Sequence, residues 1–207
     1  MDSKSNVTND DPSGDDRHAV ATYLSDMLAL ERHIAQPVEA QLKSDDHQSY
    51  GEAIRLVQRI KTCTDNHISA LEARVQAVGG HAGSPIKSAW AALLGGGAAA
   101  INQVRKTKVS KSLRDDYTAL GLSAISYTML HATAMGLGDT ATAQLAKRHL
   151  DDYAPIIVDI SKTMPTVVLQ ELREDGENVS ISAAGITEQQ TGESWSNENL
   201  SSGSNKT

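Results

Sequence analysis

Four stretches of this chain repeat apolar residues at spacings of three and four, each for more than 25 residues. That is the period of an α-helix, and it constrains the fold more tightly than any other feature of the sequence. The first stretch, about 17–43, aligns Val20, Leu24, Met27, Leu28, Ile34, Val38 and Leu42. The second, about 49–78, aligns Ile54, Val57, Ile60, Leu71, Val75 and Val78, and Gly79 and Gly80 end it as C-terminal glycines should. The third, about 110–136, carries Leu113, Tyr117, Leu120, Ala124, Tyr127 and Ala134. Gly136 and Gly138 stop it, and Asp139 is a natural N-cap for the fourth, about 140–173, which carries Leu145, Ile156, Ile160 and Leu169. Pro37 predicts a kink in the first helix, and Pro155 and Pro165 predict that the fourth bends or splits. No segment alternates at period two long enough to make a strand. Aromatic residues reach 3% with no Phe, which is low for a β-sandwich or barrel.

Pro85 opens a shorter apolar segment that runs to about Val104, between the second and third patterns. Two helical hairpins joined by one long connection give a four-helix bundle of ferritin-like connectivity. The expected fold is therefore all-α, a ferritin-like four-helix bundle with a short extra helix in the crossover. Residues 1–16 read as a disordered acidic tail, 17–173 as the bundle, and 174–207, rich in Ser, Asn, Glu, Gly and Thr, as a disordered polar tail.

The net charge of -7 argues against a nucleic-acid partner held by phosphate contacts. The single cysteine, Cys63, excludes an internal disulfide and any Cys-based zinc site, and reads as an inert thiol. The start of the chain has no apolar core and is not a signal peptide. The most apolar run, Ala89 to Ile101, is shorter than the roughly 20 residues that a membrane-crossing helix needs. No membrane partner is expected, and the expected location is cytoplasmic.

The informative residues are polar ones on the apolar stripes. Glu31 lies four residues after Met27 and three before Ile34. Thr64 and His67 fall between Ile60 and Leu71, and His131 lies between Tyr127 and Ala134. His149 and Asp152 fall between Leu145 and Ile156. Each long helix thus aims a ligand-capable side chain inward, where a lone charge is costly unless it is paired or bound to a metal. Glu31, His67, His131, His149 and Asp152 form a candidate metal set, suited by ligand type to iron, manganese or zinc. The same residues can instead form a metal-free polar layer, bonded only to one another. His18, His33, His47 and His81 fall near element ends or on polar faces and read as solvated.

The run from Tyr127 to Asp152, YTMLHATAMGLGDTATAQLAKRHLDD, resembles the third and fourth helices of the ferritin-like stress proteins of the YciE/YciF type. The matching positions are Tyr127, Leu130, Ala134, Leu137, Gly138, Leu150, Asp151 and Asp152. Thr64, His67, Leu71, Glu72, Gly79 and Pro37 add to them, so that the likeness spans roughly 20–172. The resemblance implies a ferritin-like bundle, a homodimer and a carboxylate-rich dimetal centre. The sequence departs from that centre. Cys63 stands where the acidic residue before Thr64 belongs, Leu120 and Ser123 replace two glutamates, and Pro155 takes the place of a histidine. Two readings follow: a metal-binding stress protein with an altered, histidine-containing site, or a metal-free bundle that acts through oligomerisation or a partner.

Overall fold

The structure is a computed structural model that describes residues 14–79 and 108–194. It is all-α, and no strand occurs among the described residues. The chain forms α1 (Gly14–Leu42), the single turn α2 (Asp45–Gln48), α3 (Gly51–Ala77), α4 (Val109–Gly136), α5 (Thr140–Glu174) and α6 (Ala183–Ser194). The short helix expected at 85–104 lies outside the described residues, as do residues 1–13 of the N-terminal tail.

Cross-helix pairs give the direction of every helix. Glu31 and Gln41 of α1 meet Tyr127 and Asp116 of α4, so these two helices are antiparallel. Arg59, Thr64 and Arg74 of α3 meet Asp159, Tyr153 and Asp139 of α5, again antiparallel. Ser110 and His131 of α4 meet Glu171 and Ala143 of α5 in the same sense. Arg32 of α1 reaches Glu72 of α3 across the first hairpin. The four long helices therefore form a closed ring, α1–α3–α5–α4, with α3 and α4 parallel on the diagonal. It follows that Gly79 and Lys108 lie at opposite ends of the bundle, and residues 80–107 are the one long connection.

The predicted stripes are the core. Val20, Leu24, Met27, Leu28, Ile34 and Val38 from α1 pack with Val57, Ile60, Leu71 and Val75 from α3. Leu113, Leu120, Tyr127, Leu130, Ile156 and Ile160 close the cluster from α4 and α5. One expectation about proline is corrected, the splitting of the fourth helix. α1 runs on as one helix through Pro37, and α5 divides at neither Pro155 nor Pro165. Each proline removes one backbone hydrogen bond, but Ile34 and Val38, or Ile156, Ile160 and Val167, stay buried on either side and hold the helix together. The buried face continues past Pro165 through Val167 and Glu171, and Leu169, expected on the stripe, lies off it and is only half-buried.

The α4–α5 turn is compact because Gly138 adopts φ +74°. Its N–H reaches the Met135 carbonyl, and the Asp139 N–H reaches the Ala134 carbonyl at 2.8 Å, a Schellman ending. The same Asp139 then caps α5, accepting from the Thr142 N–H.

The C-terminal expectation also changes. Residues Ala183–Ser194, read from composition as tail, form α6 against α5. Only Ala184 of this helix is buried, so its contribution to stability is small. Truncation after Ser180 should cost about 1 kcal/mol or less, measured by urea unfolding. A larger loss would mean that α6 holds α5 in place.

Candidate functional site

The centre of the bundle holds a polar cluster with residues from all four long helices. Glu31 comes from α1, Thr64 and His67 from α3, Tyr127 from α4, and His149 and Tyr153 from α5. All six side chains are buried, and Glu31, Thr64, Tyr127 and Tyr153 are 0% exposed. Each sits on its helix's apolar stripe at a spacing of three or four, so the packing that forms the core also brings the six together.

Both oxygens of Glu31 are taken. The Tyr127 hydroxyl donates to Oε1 at 2.7 Å and the Tyr153 hydroxyl donates to Oε2 at 2.5 Å. A phenol has one proton, so the other neighbours of these hydroxyls must donate to them. His149 Nδ1–H donates to the Tyr127 oxygen at 2.9 Å, and the Thr64 hydroxyl donates to the Tyr153 oxygen at 3.0 Å. Burial, and then the charge of Glu31, push both phenols well above their ordinary range, so both remain donors. Burial, with His67 and Arg148 nearby, pushes His149 down to about 3, so its ring is neutral.

His67 links the cluster to the surface. Its Nε2–H donates to Asp152 Oδ2 at 3.1 Å, and the Asp152 side chain is 53% exposed. Its Nδ1 lies 3.5 Å from Glu31 Oε1 and has no hydrogen-bond partner. The His67 and His149 rings stack, with centroids 3.8 Å apart and planes 13° apart.

The structure thus brings together four of the five candidate ligands, Glu31, His67, His149 and, at the rim, Asp152. The fifth, His131, stands apart. It is one helical turn beyond Tyr127, where its Nδ1–H reaches the Ala143 carbonyl at 2.9 Å and ties α4 to the start of α5. Tyr153 is a member that the stripe pattern could have supplied, since it lies four residues after His149 and three before Ile156. Tyr127 lies on the apolar stripe of α4, and its hydroxyl carries the same signal. His47, expected to be solvated, is fully buried. Cys63 is half-buried and burial pushes its thiol up, which disfavours the reactive thiolate.

Two imidazoles and a carboxylate are suitable donor types for iron, manganese or zinc. The arrangement does not match them. An ion lies in the plane of each imidazole that binds it, and two stacked, nearly parallel rings have no common point for one ion. Glu31 has given both oxygens to phenols. Leu120 and Ser123, where the resemblance calls for glutamates, are both 0% exposed and bring no carboxylate to the core. Among the described residues, no three His, Cys, Asp or Glu side chains gather so as to hold a metal ion. Nor is any helix among them long and apolar enough to cross a membrane.

No protein-family model and no curated protein matches the chain. The crystal structure of a protein from Xanthomonas campestris pv. campestris is similar in fold, with a TM-score of 0.65 at 16% identity. The match covers 79% of this chain and 100% of that one.

Proposed function

We propose that this chain is a ferritin-like bundle of the YciE/YciF kind in which a hydrogen-bonded network stands in the place of the metal centre. On this reading it is a cytoplasmic protein that acts by association, with a second copy of itself as the first partner to seek, and not by oxygen or peroxide chemistry. One observation carries the reading: Glu31, the single carboxylate fully inside the core cluster, has both oxygens satisfied by Tyr127 and Tyr153. A cation there would have to share the carboxylate with both phenols, and displacing either one would orphan a buried donor at a cost of about 1–3 kcal/mol.

A specific observation favours a second reading, the metal-binding stress protein. His67 Nδ1 is buried, lacks a hydrogen-bond partner and faces Glu31 Oε1 at 3.5 Å. An ion there would use Glu31 and His67, with His149 after its ring had turned.

Elemental analysis of the protein, purified untagged and reconstituted with iron, manganese and zinc, decides between them. The expected result is less than about a tenth of an equivalent per chain and no rise in melting temperature with metal. Bound metal at about one equivalent, lost in His67→Ala, would overturn the metal-free reading. Light scattering on the same sample tests the association, and a strictly monomeric protein would remove the second copy from the proposal.

A further inference from the structure

A second polar contact lies on the α1–α4 seam, ten residues along α1 from Glu31. Gln41 and Asp116 are 2% and 5% exposed, and Gln41 Nε2–H donates to Asp116 Oδ1 at 2.9 Å. Three neighbouring atoms are buried without a hydrogen-bond partner: Gln41 Oε1, Asp116 Oδ2 and, one turn earlier on α4, Ser112 Oγ. Two of the three belong to groups already joined by one hydrogen bond. A carboxylate cannot help, because Oδ2 and Oε1 are both acceptors. An ionised Asp116 would also be a buried charge held by a single amide, which is costly. One proton on Oδ2 removes both defects. Oδ2 becomes a donor to Oε1, and the two side chains close into a cyclic acid–amide pair with two hydrogen bonds.

We propose that Asp116 is a carboxylic acid below neutral pH and that its cyclic pair with Gln41 is a proton-operated latch between α1 and α4. The latch is closed below neutrality and broken above it, when the seam must hold an unpaired buried carboxylate. The surroundings fit this assignment. Burial pushes the Asp116 carboxyl up to about 7, against the Gln41 hydrogen bond, and the neighbouring Asp115 charge adds to the rise. Among the described residues no Lys or Arg forms an ion pair with Asp116. At this end of the bundle Lys108 pairs with Asp175, Lys43 pairs with Glu39, and Glu171 of α5 is held by Ser110. The other buried titratable groups at this end are His47 of α2, Tyr50, whose hydroxyl donates to Glu174, and Glu171.

The sign of the pH effect follows. The folded chain holds the Asp116 proton up to about pH 7, whereas in the unfolded chain the group ionises near 3.8. Its contribution to stability is therefore highest below pH 4 and falls, by up to about tenfold in the folding constant per pH unit, as pH rises to 7. His149 acts in the opposite sense, because its depressed value makes the protein lose stability as pH falls through 6.5 toward 3. The difference between a variant and the wild type isolates Asp116 from this background.

The test is urea unfolding of the full chain and of Asp116→Asn at pH 8 and pH 5. An asparagine offers the same cyclic pair permanently, accepting from Gln41 Nε2 and donating to Oε1. Asp116→Asn should be the more stable protein at pH 8, with its advantage shrinking steadily toward pH 5. The wild type at pH 6 should also show the infrared carbonyl band of a protonated carboxylic acid, absent in the variant and at pH 9. A variant that is no more stable at pH 8, or an advantage independent of pH, would overturn the latch. So would a missing infrared band, a measurement that does not depend on the variant folding. Recovery of wild-type stability at pH 8 by millimolar sodium, magnesium or calcium would also sink it, replacing the proton by a cation.

Discussion

Replacing Glu31 by alanine should lower the stability of the bundle by about 3–5 kcal/mol, the largest effect we expect from a single polar residue. Two buried phenols, Tyr127 and Tyr153, donate to this one carboxylate. Its removal strands both donors in a water-free core, at about 1–3 kcal/mol each, and leaves a cavity behind them. Relief from burying a charge works the other way but is smaller, since the carboxylate is well hydrogen-bonded. In a chain of this length the loss corresponds to a melting temperature lower by roughly 10 °C or more. The triple variant Glu31→Leu, Tyr127→Phe, Tyr153→Phe removes donors and acceptor together, and should recover most of the loss. Calorimetry on both proteins checks the pair of outcomes. A Glu31→Ala variant within about 1 kcal/mol of wild type would mean that water enters and replaces the carboxylate.

Asp139→Ala should cost about 2–3 kcal/mol, more than an ordinary helix cap. Asp139 sits in the α4–α5 turn and does three things at once. Its carboxylate caps α5 through the Thr142 N–H at 3.0 Å and accepts from the Thr142 hydroxyl at 2.6 Å. It also receives a two-point contact from Arg74 Nη2, at 2.6 and 2.7 Å, which ties α3 to the start of α5. Burial pushes the Asp139 carboxyl up, but the bonds from Arg74 and Thr142 outweigh it and hold the group below its ordinary value. The ion pair is only partly exposed, at 23% and 15%, so solvent screens it less than a surface pair. Because the folded value is depressed, this contribution is present at neutral pH and is lost as pH falls through the carboxylate range. Asp139→Asn should recover the cap but not the charge contact, and so fall between alanine and wild type. Chemical denaturation of the three proteins at pH 7 and pH 3 checks both the order and its collapse in acid. Equal stability of the asparagine and alanine variants would assign the whole effect to Arg74.

Helix number, length and inward face were legible in the sequence because each long helix buries one stripe, and a stripe at period 3.6 is a local pattern. Of the two outcomes expected at Pro155 and Pro165, a bend or a split, the split does not occur. Pro155 and Pro165 each cost one backbone bond, while Ile156, Ile160 and Val167 beside them stay anchored in the core. The tail was misjudged at 183–194 for the converse reason. α6 lacks a strong apolar stripe and owes its place to α5, which composition does not reveal.

The cluster was half legible. That Glu31, His67 and His149 face inward follows from their spacing to Met27, Ile60 and Leu145, and the sequence alone determined it. What they do there depends on distances between helices far apart in the chain. Glu31 and Tyr153 are 122 residues apart, and so is any account of who accepts whose proton. The sequence left two readings open, ligands converging on an ion or a metal-free polar layer, because it lists donor types without their directions. The tertiary structure turned the two imidazoles face to face and gave both oxygens of Glu31 to phenols. Asp116 follows the same rule: its stripe position, three after Leu113 and four before Leu120, is written in the sequence. That it meets Gln41 and leaves one acceptor on each side chain unpaired is decided only when α1 packs on α4. Periodicity is a property of one helix and can be read from it, whereas a hydrogen bond has a direction that exists only between two packed surfaces.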